Sequence, residues 1–423
     1  MLERNNSKNP SSLRRLLPSD GLVKFLNRFY PKPIKRLARR WLPYKYEVYN
    51  RRKWRAEDTY ADIEEVSTYP ARVDVRLGII KEFAHAHKNY LGACRDLGVP
   101  YKILDISGPN WIKVVRNSGC DAFLVRPSCE LSVWKRMYDE RLRVMVEDMG
   151  KIIYPSYKEL WFYESKRRMC YWLQAHNIPH PQTWIFYNCD NAMEFAQNTE
   201  LPIVFKTDFG SAASGVRIFR SRLRLTRWIK RCFRKGTIRK DEDSRDRQWG
   251  SVLLQEYLPD AKEWRIAVIG ASYFGYEKLK QGDYHSGSLL RAYSRPRDEL
   301  LALAKRIMDD GRFTSMALDI FETKDGQYLV NELQTMFGMS RQEMCVVDGK
   351  AGRMFFQSES FAWVFESGDF CRNHLCNLRV QILLAMMKKE LRQGPGVQGC
   401  DASFIPSLFS PNRDPDTSRD FYE

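Results

Sequence analysis

Residues 317–334 read ALDIFETKDGQYLVNELQ, two β-rich runs on either side of an Asp-Gly pair at 325–326. Such a pair is a strong hairpin signal, because both central positions of the favoured two-residue turn need a positive φ angle. With Asp-Gly as the turn, Asp319 is predicted to face Glu332, and Gln334 lies two residues further along the same face. Directly opposed carboxylates repel each other, so their pairing needs a reason.

A bound cation would supply that reason. Two carboxylates and an amide oxygen on one face suit Mg²⁺, or Mn²⁺ in its place, and such ions commonly share protein oxygens with nucleotide phosphates. The ordinary alternative is an exposed polar face on which two acids meet by chance. The flanking apolar residues Phe321, Val330 and Leu333 favour the metal site.

A second hairpin is predicted upstream, over residues 263–278 (EWRIAVIGASYFGYEK), with Gly270-Ala271 as its turn. This register places Glu263 opposite Lys278 and Arg265 opposite Tyr276. The ordinary interpretation is a cross-strand ion pair of little energetic weight if exposed. The functional one puts the carboxylate on a ribose and the lysine near phosphate.

A third hairpin is predicted over residues 202–219 (PIVFKTDFGSAASGVRIF), whose loop is built of small residues. Small residues let backbone N–H groups approach phosphate oxygens closely. The loop is not a Walker A motif, because Val216 follows Gly215 where that motif has lysine. Lys206 would supply the positive charge instead, and an ordinary hairpin tip is the alternative.

Residues 76–155 show a different pattern, in which short apolar runs alternate with helical segments. This order predicts a small parallel sheet covered by helices. No Gly-x-Gly-x-x-Gly follows the first strand, so dinucleotide binding is not indicated. After about residue 341 the sequence predicts an amphipathic helix near 377–391 and a tail rich in Pro, Gly and Ser.

The chain has 423 residues, 43 % of them hydrophobic, and a formal net charge of +17. Substantial cores are therefore possible, and a wholly disordered chain is excluded. Two segments hold the positive excess: 1–56 has 16 Lys or Arg against three acids, and 216–240 has 11 and no acid. Both could contact a polyanion or an anionic membrane surface, or could simply be solvated basic faces. Sequence-specific nucleic-acid binding is not expected, since no base-reading module is recognisable.

The longest apolar runs are far shorter than the roughly 18 to 20 residues that span a bilayer, and the first residues lack a signal-peptide core. Ten scattered cysteines without a Cys-x-x-Cys pair indicate reduced thiols. We therefore expect a cytoplasmic protein, with a peripheral position at the inner face of the membrane as the alternative.

Taken in this order, the three hairpins and the preceding α/β segment resemble the ATP-grasp superfamily over about residues 77–338. They are most similar to the RimK and glutathione-synthetase-like carboxylate-amine ligases. The resemblance implies an α/β pre-ATP-grasp domain (76–155) and a two-subdomain ATP-grasp fold with antiparallel sheets (156–340). The charge and periodicity of the flanking segments add a basic amphipathic N-terminal arm (1–75) and a C-terminal helix and tail (341–423). The predicted fold class is thus α/β combined with α+β.

The resemblance also implies roles for individual residues. ATP phosphates would be held by Lys166 and Lys206 with Ser211, Ser214 and Gly215 of the loop; adenine by Gln255, Tyr257 and Leu258; ribose by Glu263; and Mg²⁺ by Asp319, Glu332 and Gln334. Arg265 and Lys278 would be catalytic, next to the acyl-phosphate. The family usually has Glu-x-Asn where this chain has Glu332-Leu333-Gln334, and residues 282–288 lack the arginine and asparagine of RimK-type enzymes.

The implied reaction has two steps. ATP phosphorylates a substrate carboxylate, and an amine then attacks the acyl-phosphate to give an amide, ADP and phosphate. Two alternatives stay open from the sequence: an ATP-grasp kinase that stops after phosphorylation, and a basic scaffold that binds a polyanion or membrane and uses ATP only structurally. The identities of the acid and the amine are not indicated by any residue.

Overall fold

A computed structural model describes residues 64–83, 86–210, 215–238, 246–283, 290–338 and 344–393. All of them lie within one compact unit that begins at Tyr60. The predictions for residues 1–63 of the basic arm, for Ser211 and Ser214, for most of 282–288 and for the tail after residue 393 fall outside these residues. Three sheets organise the described part of the chain.

The first sheet contains β1 (Leu77–Ile80), β2 (Tyr101–Leu104), β3 (Ala122–Leu124) and β4 (Ile152–Tyr154), all parallel in the order β2-β1-β3-β4. Its connections include α1 (Lys88–Leu97), α2 (Trp111–Arg116) and α3 (Ser132–Glu147). Every residue of β1 is buried, as expected for a strand covered on both faces. The predicted parallel sheet is confirmed.

The second sheet follows α4 (Tyr157–Phe162) and α5 (Lys166–Ala175). It contains β5 (Thr183–Phe186), β6 (Ile203–Lys206), β7 (Val216–Phe219) and β8 (Val252–Glu256), antiparallel in the order β5-β8-β6-β7. Its helices are α6 (Cys189–Asn198) and α7 (Arg222–Arg234). Leu225, Ile229 and Cys232 of α7 are buried in the core of this sheet, as their helical spacing predicts.

The third sheet is the largest and has eight strands. Six of them follow the path β13-β12-β9-β10-β15-β14, and two more strands, β11 and β16, pair with β10 and β15. The strands are β9 (Lys262–Ile269), β10 (Ser272–Lys278), β11 (Arg291–Ala292), β12 (Ser315–Glu322), β13 (Tyr328–Gln334), β14 (Cys345–Val347), β15 (Lys350–Gln357) and β16 (Ala362–Ser367). Helix α8 (Asp298–Gly311) packs on it through Leu300, Ile307 and Met308.

The β9–β10 hairpin has the predicted register, with Glu263 opposite Lys278 and Arg265 opposite Tyr276. The turn residue Gly270 has a φ of 54°, which glycine adopts without steric cost. Taking Gly270-Ala271 as the two turn residues therefore predicted the correct alignment of β9 with β10.

The β12–β13 hairpin reaches the predicted pair by a different route. Asp319 does face Glu332, but near the turn Glu322 faces Tyr328, one residue out of the register that a two-residue Asp-Gly turn would give. A bulge between Asp319 and Ile320 restores the register by leaving Asn331 without an opposite residue. The predicted turn was wrong and the predicted pair was right, because the longer turn and the bulge cancel.

The C-terminal segment differs most from the prediction of a helix and tail for 341–423. Strands β14–β16 extend the large sheet before α9 (Cys376–Gln393) begins. The run KAGRMFFQ of β15 has few β-branched residues and a central glycine, so its strand character comes from its sheet neighbours. Helix α9 then packs against the parallel sheet, where Val380 and Leu383 share a core with Leu77 and Tyr90.

No helix in the described ranges is both long and apolar enough to cross a bilayer. The nine described cysteines are free thiols.

Candidate active site

A small cleft lies where the second and third sheets approach α5. The cleft is lined by Lys166, Met169, Cys170, Leu173, His180, Thr183, Lys206, Leu253, Gln255 and Val330. Three of the predicted ATP-binding residues, Lys166, Lys206 and Gln255, are thus brought together from three separate elements.

Lys166 is the first residue of α5, and its Nζ lies 2.5 Å from the carbonyl oxygen of Gly210 and 3.3 Å from Oε1 of Glu332. Burial alone would lower the pKa of Lys166, but Glu332 and Glu164 raise it above the ordinary value. The ammonium group therefore stays charged at the mouth of the loop that follows β6.

Lys206 ends β6 and lies close to Lys166 but has a different environment. Its Nζ donates a hydrogen bond of 2.7 Å to the amide oxygen of Asn331, the bulge residue. Burial lowers the pKa of Lys206 to about 8, and the nearby Lys166 acts in the same direction. Two lysines thus face one end of the cleft, and a neutral amide is the hydrogen-bond partner of the second.

Gly215, at the far side of the same loop, is required by a close approach. A Cβ atom there would lie 1.7 Å from Oγ1 of Thr207, so any larger residue would force the loop apart. The Gly215 carbonyl accepts a hydrogen bond of 3.0 Å from the Thr207 amide. These contacts close the base of the predicted phosphate loop.

A buried ion network lies beside the cleft, on β9, β10 and β12. Nε and Nη2 of Arg265 donate to the two oxygens of Asp319 at 2.7 and 2.8 Å, and Lys278 donates to Asp319 and to Glu263, the latter at 2.9 Å. Glu263 and Asp319 are each 2 % exposed. Although burial acts to raise it, Arg265 and Lys278 hold the pKa of Asp319 well below its usual range.

The predicted metal ligands lie on neighbouring strands but are engaged differently. Asp319 accepts hydrogen bonds from the side chains of Arg265 and Lys278. Glu332 is 24 % exposed and contacts Lys166, and Nε2 of Gln334 donates to Glu164 at 3.0 Å. Within the described ranges no group of three His, Cys, Asp or Glu side chains is gathered for a metal. Carboxylate and amide oxygens are donor types that a hard cation takes, but both oxygens of Asp319 accept hydrogen bonds from Arg265 and Lys278, so Asp319 would have to release these partners before binding a cation.

Of the residues predicted to bind adenine and ribose, only Gln255 lines the cleft. Gln255 is buried and donates through Nε2 to Oγ1 of Thr183 at 2.9 Å inside the cleft. Tyr257 and Leu258 are partly buried just beyond β8, and the Tyr257 hydroxyl donates to Asp283 at 3.0 Å. Glu263 belongs to the ion network described above. Neither Tyr257 nor Leu258 is among the residues that line the cleft.

Two residues that sequence reasoning missed hold the site together. Glu164 accepts hydrogen bonds of 3.0 Å from the Gly210 amide and from Gln334, so it joins the loop to β13. Asn331 is the partner of Lys206. The position of Glu164 next to Lys166 was a possible signal, but the bulge that turns Asn331 toward Lys206 has no sequence signature.

The Arg-rich helix α7 carries a second, exposed group of charges. Arg224, Arg227 and Lys230 are exposed and form no ion pair with any residue in the part of the chain that the structure describes. Arg217 and Arg231 stack on Trp228, with guanidinium carbons 4.1 and 5.4 Å from ring centroids. This face of the second sheet is therefore strongly basic.

Known proteins that are similar to the chain include a curated ligase and several solved structures. No protein-family profile matches the chain. Among curated proteins, the alpha-aminoadipate–LysW ligase LysX of Saccharolobus solfataricus is 27 % identical over 194 residues, which are 45 % of this chain and 67 % of LysX.

Solved structures are also similar to the chain. D-alanine–D-alanine ligase of Bacillus anthracis has a TM-score of 0.47 at 14 % identity, covering 74 % of this chain and 99 % of the ligase. The RimK domain ATP-grasp protein of Sphaerobacter thermophilus has a TM-score of 0.44 at 16 % identity, covering 61 % and 90 %.

The order of the hairpins, the lysines they bring to one cleft and the similarity to LysX agree with the resemblance found in the sequence.

Proposed function

We propose that this protein is an ATP-dependent ligase that joins a carboxylate to an amine through an acyl-phosphate. The observation that carries the proposal is that Lys166 and Lys206 line the same cleft as the buried Gln255, with Glu332 in contact with Lys166. Such a cleft offers cations and a carboxylate where phosphates would lie and a hydrogen-bonding amide where a base would lie.

Phosphoryl transfer needs positioning and charge neutralisation more than covalent participation by the protein. Lys166 and Lys206 would hold the phosphates. Arg265 would face the developing negative charge of the acyl-phosphate, held in place by its two hydrogen bonds to Asp319. Lys278 is buried between Glu263 and Asp319 and would maintain that geometry.

Mg²⁺, or Mn²⁺ in its place, is part of the proposal. Glu332 and Gln334 of β13 would contribute oxygens to it, and so would Asp319 of β12 once released from Arg265 and Lys278; Asn331 is next to Glu332 on β13. A bound divalent ion would neutralise phosphate charge. Calorimetry with ADP, with and without Mg²⁺, should give weaker nucleotide binding when the metal is left out.

Replacing Glu332 by Gln tests the ligase proposal. We expect ADP release in the presence of acid and amine substrates to fall by about a hundredfold or more, because the carboxylate beside Lys166 is lost while the fold is kept. Glu299→Gln, on the exposed face of α8, is the matched control and should retain the wild-type rate. An unchanged rate in Glu332→Gln would contradict the site.

The acid for the first screen can be chosen from the relative. LysX, by its name, ligates alpha-aminoadipate, so dicarboxylic amino acids such as 2-aminoadipate and glutamate are reasonable first acids, each paired with a set of amines. Hydroxylamine traps an acyl-phosphate as a hydroxamate. Hydroxamate without any amide product under all amine conditions would favour a kinase instead of a ligase.

We also propose that α7 attracts an acidic substrate or partner, together with the basic segment 1–56. Arg224, Arg227 and Lys230 are spaced three residues apart on one helix face, where like charges repel each other by about 0.2–0.5 kcal/mol a pair, a cost that an anionic partner would offset. Arg224→Gln with Arg227→Gln should weaken binding of poly-L-glutamate and flatten its salt dependence. Lys113→Gln with Arg116→Gln, on α2, is the matched control. Equal binding by both double variants would remove α7 from the proposal, and binding to anionic vesicles alone would indicate a membrane instead.

A further inference from the structure

The stem of the predicted phosphate loop, residues 207–210, is held from two sides. On one side, the Asp208 carbonyl accepts a hydrogen bond of 3.1 Å from the Lys166 amide at the start of α5. On the other side lies a return segment, residues 246–250, which stands between α7 and β8 in the chain. Asp208 contacts this segment through Gln248. The loop stem is therefore fixed between α5 and the return segment.

Gln248 binds the loop stem through both ends of its side-chain amide. Oε1 accepts a hydrogen bond of 2.8 Å from the Asp208 amide, and Nε2 donates one of 3.4 Å to the Phe209 carbonyl oxygen. The Thr207 hydroxyl donates to the same carbonyl oxygen at 2.7 Å. Asp208 is buried, and a buried backbone N–H group needs an acceptor. Gln248 supplies that acceptor from outside the loop.

The backbone of Gln248 is itself attached to the end of α7. Its amide donates to the Thr237 carbonyl oxygen at 2.9 Å, and its carbonyl oxygen accepts from the Thr237 amide at 2.7 Å. Nη1 of the preceding Arg247 donates to the Lys235 carbonyl oxygen at 2.7 Å. Because of these bonds, the place from which the Gln248 side chain extends is set by α7 and not by the loop that it binds.

The return segment is also attached to the helices of the parallel sheet. The two carboxylate oxygens of Asp246 accept from the Ser132 amide at 3.2 and 3.3 Å, and the Ser132 hydroxyl donates to the same carboxylate. Ser132 is the first residue of α3, where backbone N–H groups lack a partner within the helix and a negative charge is favoured. Asp246 and Gln248 thus connect one short segment to α3 and to the phosphate loop.

Asp208 continues the network from Gln248 to the first turn of α5. Its Oδ1 accepts from the Ser165 hydroxyl at 3.0 Å and from the Arg167 amide at 2.8 Å. Its Oδ2 lies 2.8 Å from Nη2 of Arg167. Lys166 stands between these two partners in the sequence, and its own amide donates to the Asp208 carbonyl. The loop stem and the turn that carries Lys166 are therefore one hydrogen-bonded unit.

We propose that Gln248 is a positioning residue for the nucleotide phosphates, acting through Asp208 on Lys166. The inference rests on the proposed ligase function, since it concerns the phosphate end of that site. Gln248 is not among the residues that line the cleft; it holds the Asp208 backbone, and Asp208 holds the turn from which Lys166 extends. Phosphoryl transfer depends on such placement, and a displacement of about 1 Å can cost about a hundredfold in rate.

The test is a double-mutant cycle on the full-length chain, with calorimetry of Mg-ADP binding as the measurement. Gln248→Met keeps the length of the side chain but removes its amide, and we expect it to weaken Mg-ADP binding by about fivefold to tenfold. In a Lys166→Met background the same substitution should weaken binding by less than about twofold, because the lysine that it positions is gone. A general loss of structure would have equal effects in both backgrounds.

A conservative variant tests the contact itself. Gln248→Glu restores an oxygen acceptor for the Asp208 amide, so it should bind Mg-ADP about threefold more tightly than Gln248→Met. Thermal unfolding without nucleotide reports whether each variant is folded. If Gln248→Met is unfolded, Gln248→Asn takes its place in the cycle with the same expected result, because it withdraws the amide from the loop by one methylene group.

Gln197→Met, at an exposed position of α6, is the matched control and should bind Mg-ADP as the wild type does. Mg-ADP affinity that is unchanged in the folded Gln248 variant, or that falls equally in both backgrounds, overturns the inference and leaves the proposed function standing. Failure of Mg-ADP to bind the wild type overturns the proposed function itself.

Discussion

Two groups of charged residues flank the β12–β13 hairpin and are built in opposite ways. Around Asp319, the protein neutralises its own charges: Arg265 and Lys278 bind the carboxylate, and Lys278 also binds Glu263. Around Lys206, the hydrogen-bond partner is the neutral amide of Asn331, and another lysine lies nearby. Both lysines, Lys206 and Lys278, are largely removed from water.

The difference appears in the pKa values of the two lysines. Burial lowers both, but Asp319 and Glu263 more than offset it and raise the pKa of Lys278 above the ordinary value. Among the described residues no carboxylate forms an ion pair with Lys206, and burial lowers its pKa to about 8 although the nearby Glu332 acts to raise it. The first group is complete as a structural element, whereas under the proposed function an anionic ligand such as phosphate would complete the second.

Removing the charge at the centre of the first group should have the largest effect. In Asp319→Asn, Arg265 loses its two hydrogen bonds to a carboxylate and Lys278 loses its hydrogen bond to Asp319, so we expect a loss of about 3 to 5 kcal/mol in the free energy of unfolding. Urea denaturation measures it. The exposed pair of Asp260 and Lys324, 2.9 Å apart, gives the control, and Asp260→Asn should leave the urea midpoint unchanged. Comparable midpoints for both variants would contradict the network.

The two lysines should respond oppositely to the same substitution. Lys278→Met leaves two buried carboxylates short of a partner and should destabilise the fold. Lys206→Met removes a poorly compensated buried charge, so stability should be unchanged or higher, while Mg-ADP affinity falls by about tenfold or more. Thermal unfolding and calorimetry on both variants check this. Loss of stability in Lys206→Met with nucleotide affinity intact would reverse the assignment.

The lowered pKa of Lys206 predicts proton uptake on nucleotide binding. Near pH 8 the side chain is about half protonated, and phosphate should hold it fully protonated, so about half a proton should be taken up. Calorimetry in buffers of different ionisation enthalpy measures this number. Lys206→Met should abolish the uptake, and an unchanged value would assign it to another group.

The pH dependence of the free energy of unfolding should also reflect the lowered pKa of Lys206. The pKa of Lys206 is lowered from 10.5 to about 8 in the folded state, so the unfolded chain binds more protons between these values. The unfavourable contribution of Lys206 is therefore complete below about pH 8 and fades as the pH rises toward 10.5. The wild type should gain stability relative to Lys206→Met over this range; parallel stability curves would contradict the assignment.

The smallest effect is expected from giving Lys206 a carboxylate partner of the kind that Lys278 already has. Asn331→Asp places a carboxylate on Lys206, which should raise its pKa and reduce proton uptake near pH 8 almost to zero. Nucleotide affinity should fall modestly, because the new charge repels phosphate. Asn198→Asp, on the exposed end of α6, is the control and should leave both quantities unchanged.

Much of the fold was predictable from local signals. The alternating pattern of 76–155 predicted the parallel sheet, and the Gly270-Ala271 turn predicted the alignment of Glu263 with Lys278. Strands β14–β16 were not predicted, because β15 lacks a strong β pattern and pairs with β10 across a long stretch of chain. Its conformation is stabilised by sheet neighbours rather than by local preference.

The candidate site was predictable as a set of residues but not as a set of contacts. Lys166, Lys206 and Gln255 do line one cleft, as the resemblance implied. That Asp319 would be saturated by Arg265 and Lys278, and that Gln334 would bind Glu164, could not be inferred from spacing. These contacts depend on which strands become neighbours, and β9 lies between β10 and β12 only in the folded sheet.

The sequence by itself predicted the opposed hairpin pairs, the charge segregation and the family resemblance, because turn residues, periodicity and motif order are local or additive properties of the chain. Only the tertiary structure decided which charged side chains are paired with each other among the described residues. Glu164 and Asn331 acquire their contacts from that arrangement. The physical reason is that the free energy of a buried charge depends on its neighbours in space and on its removal from water, and neither is encoded at any single position.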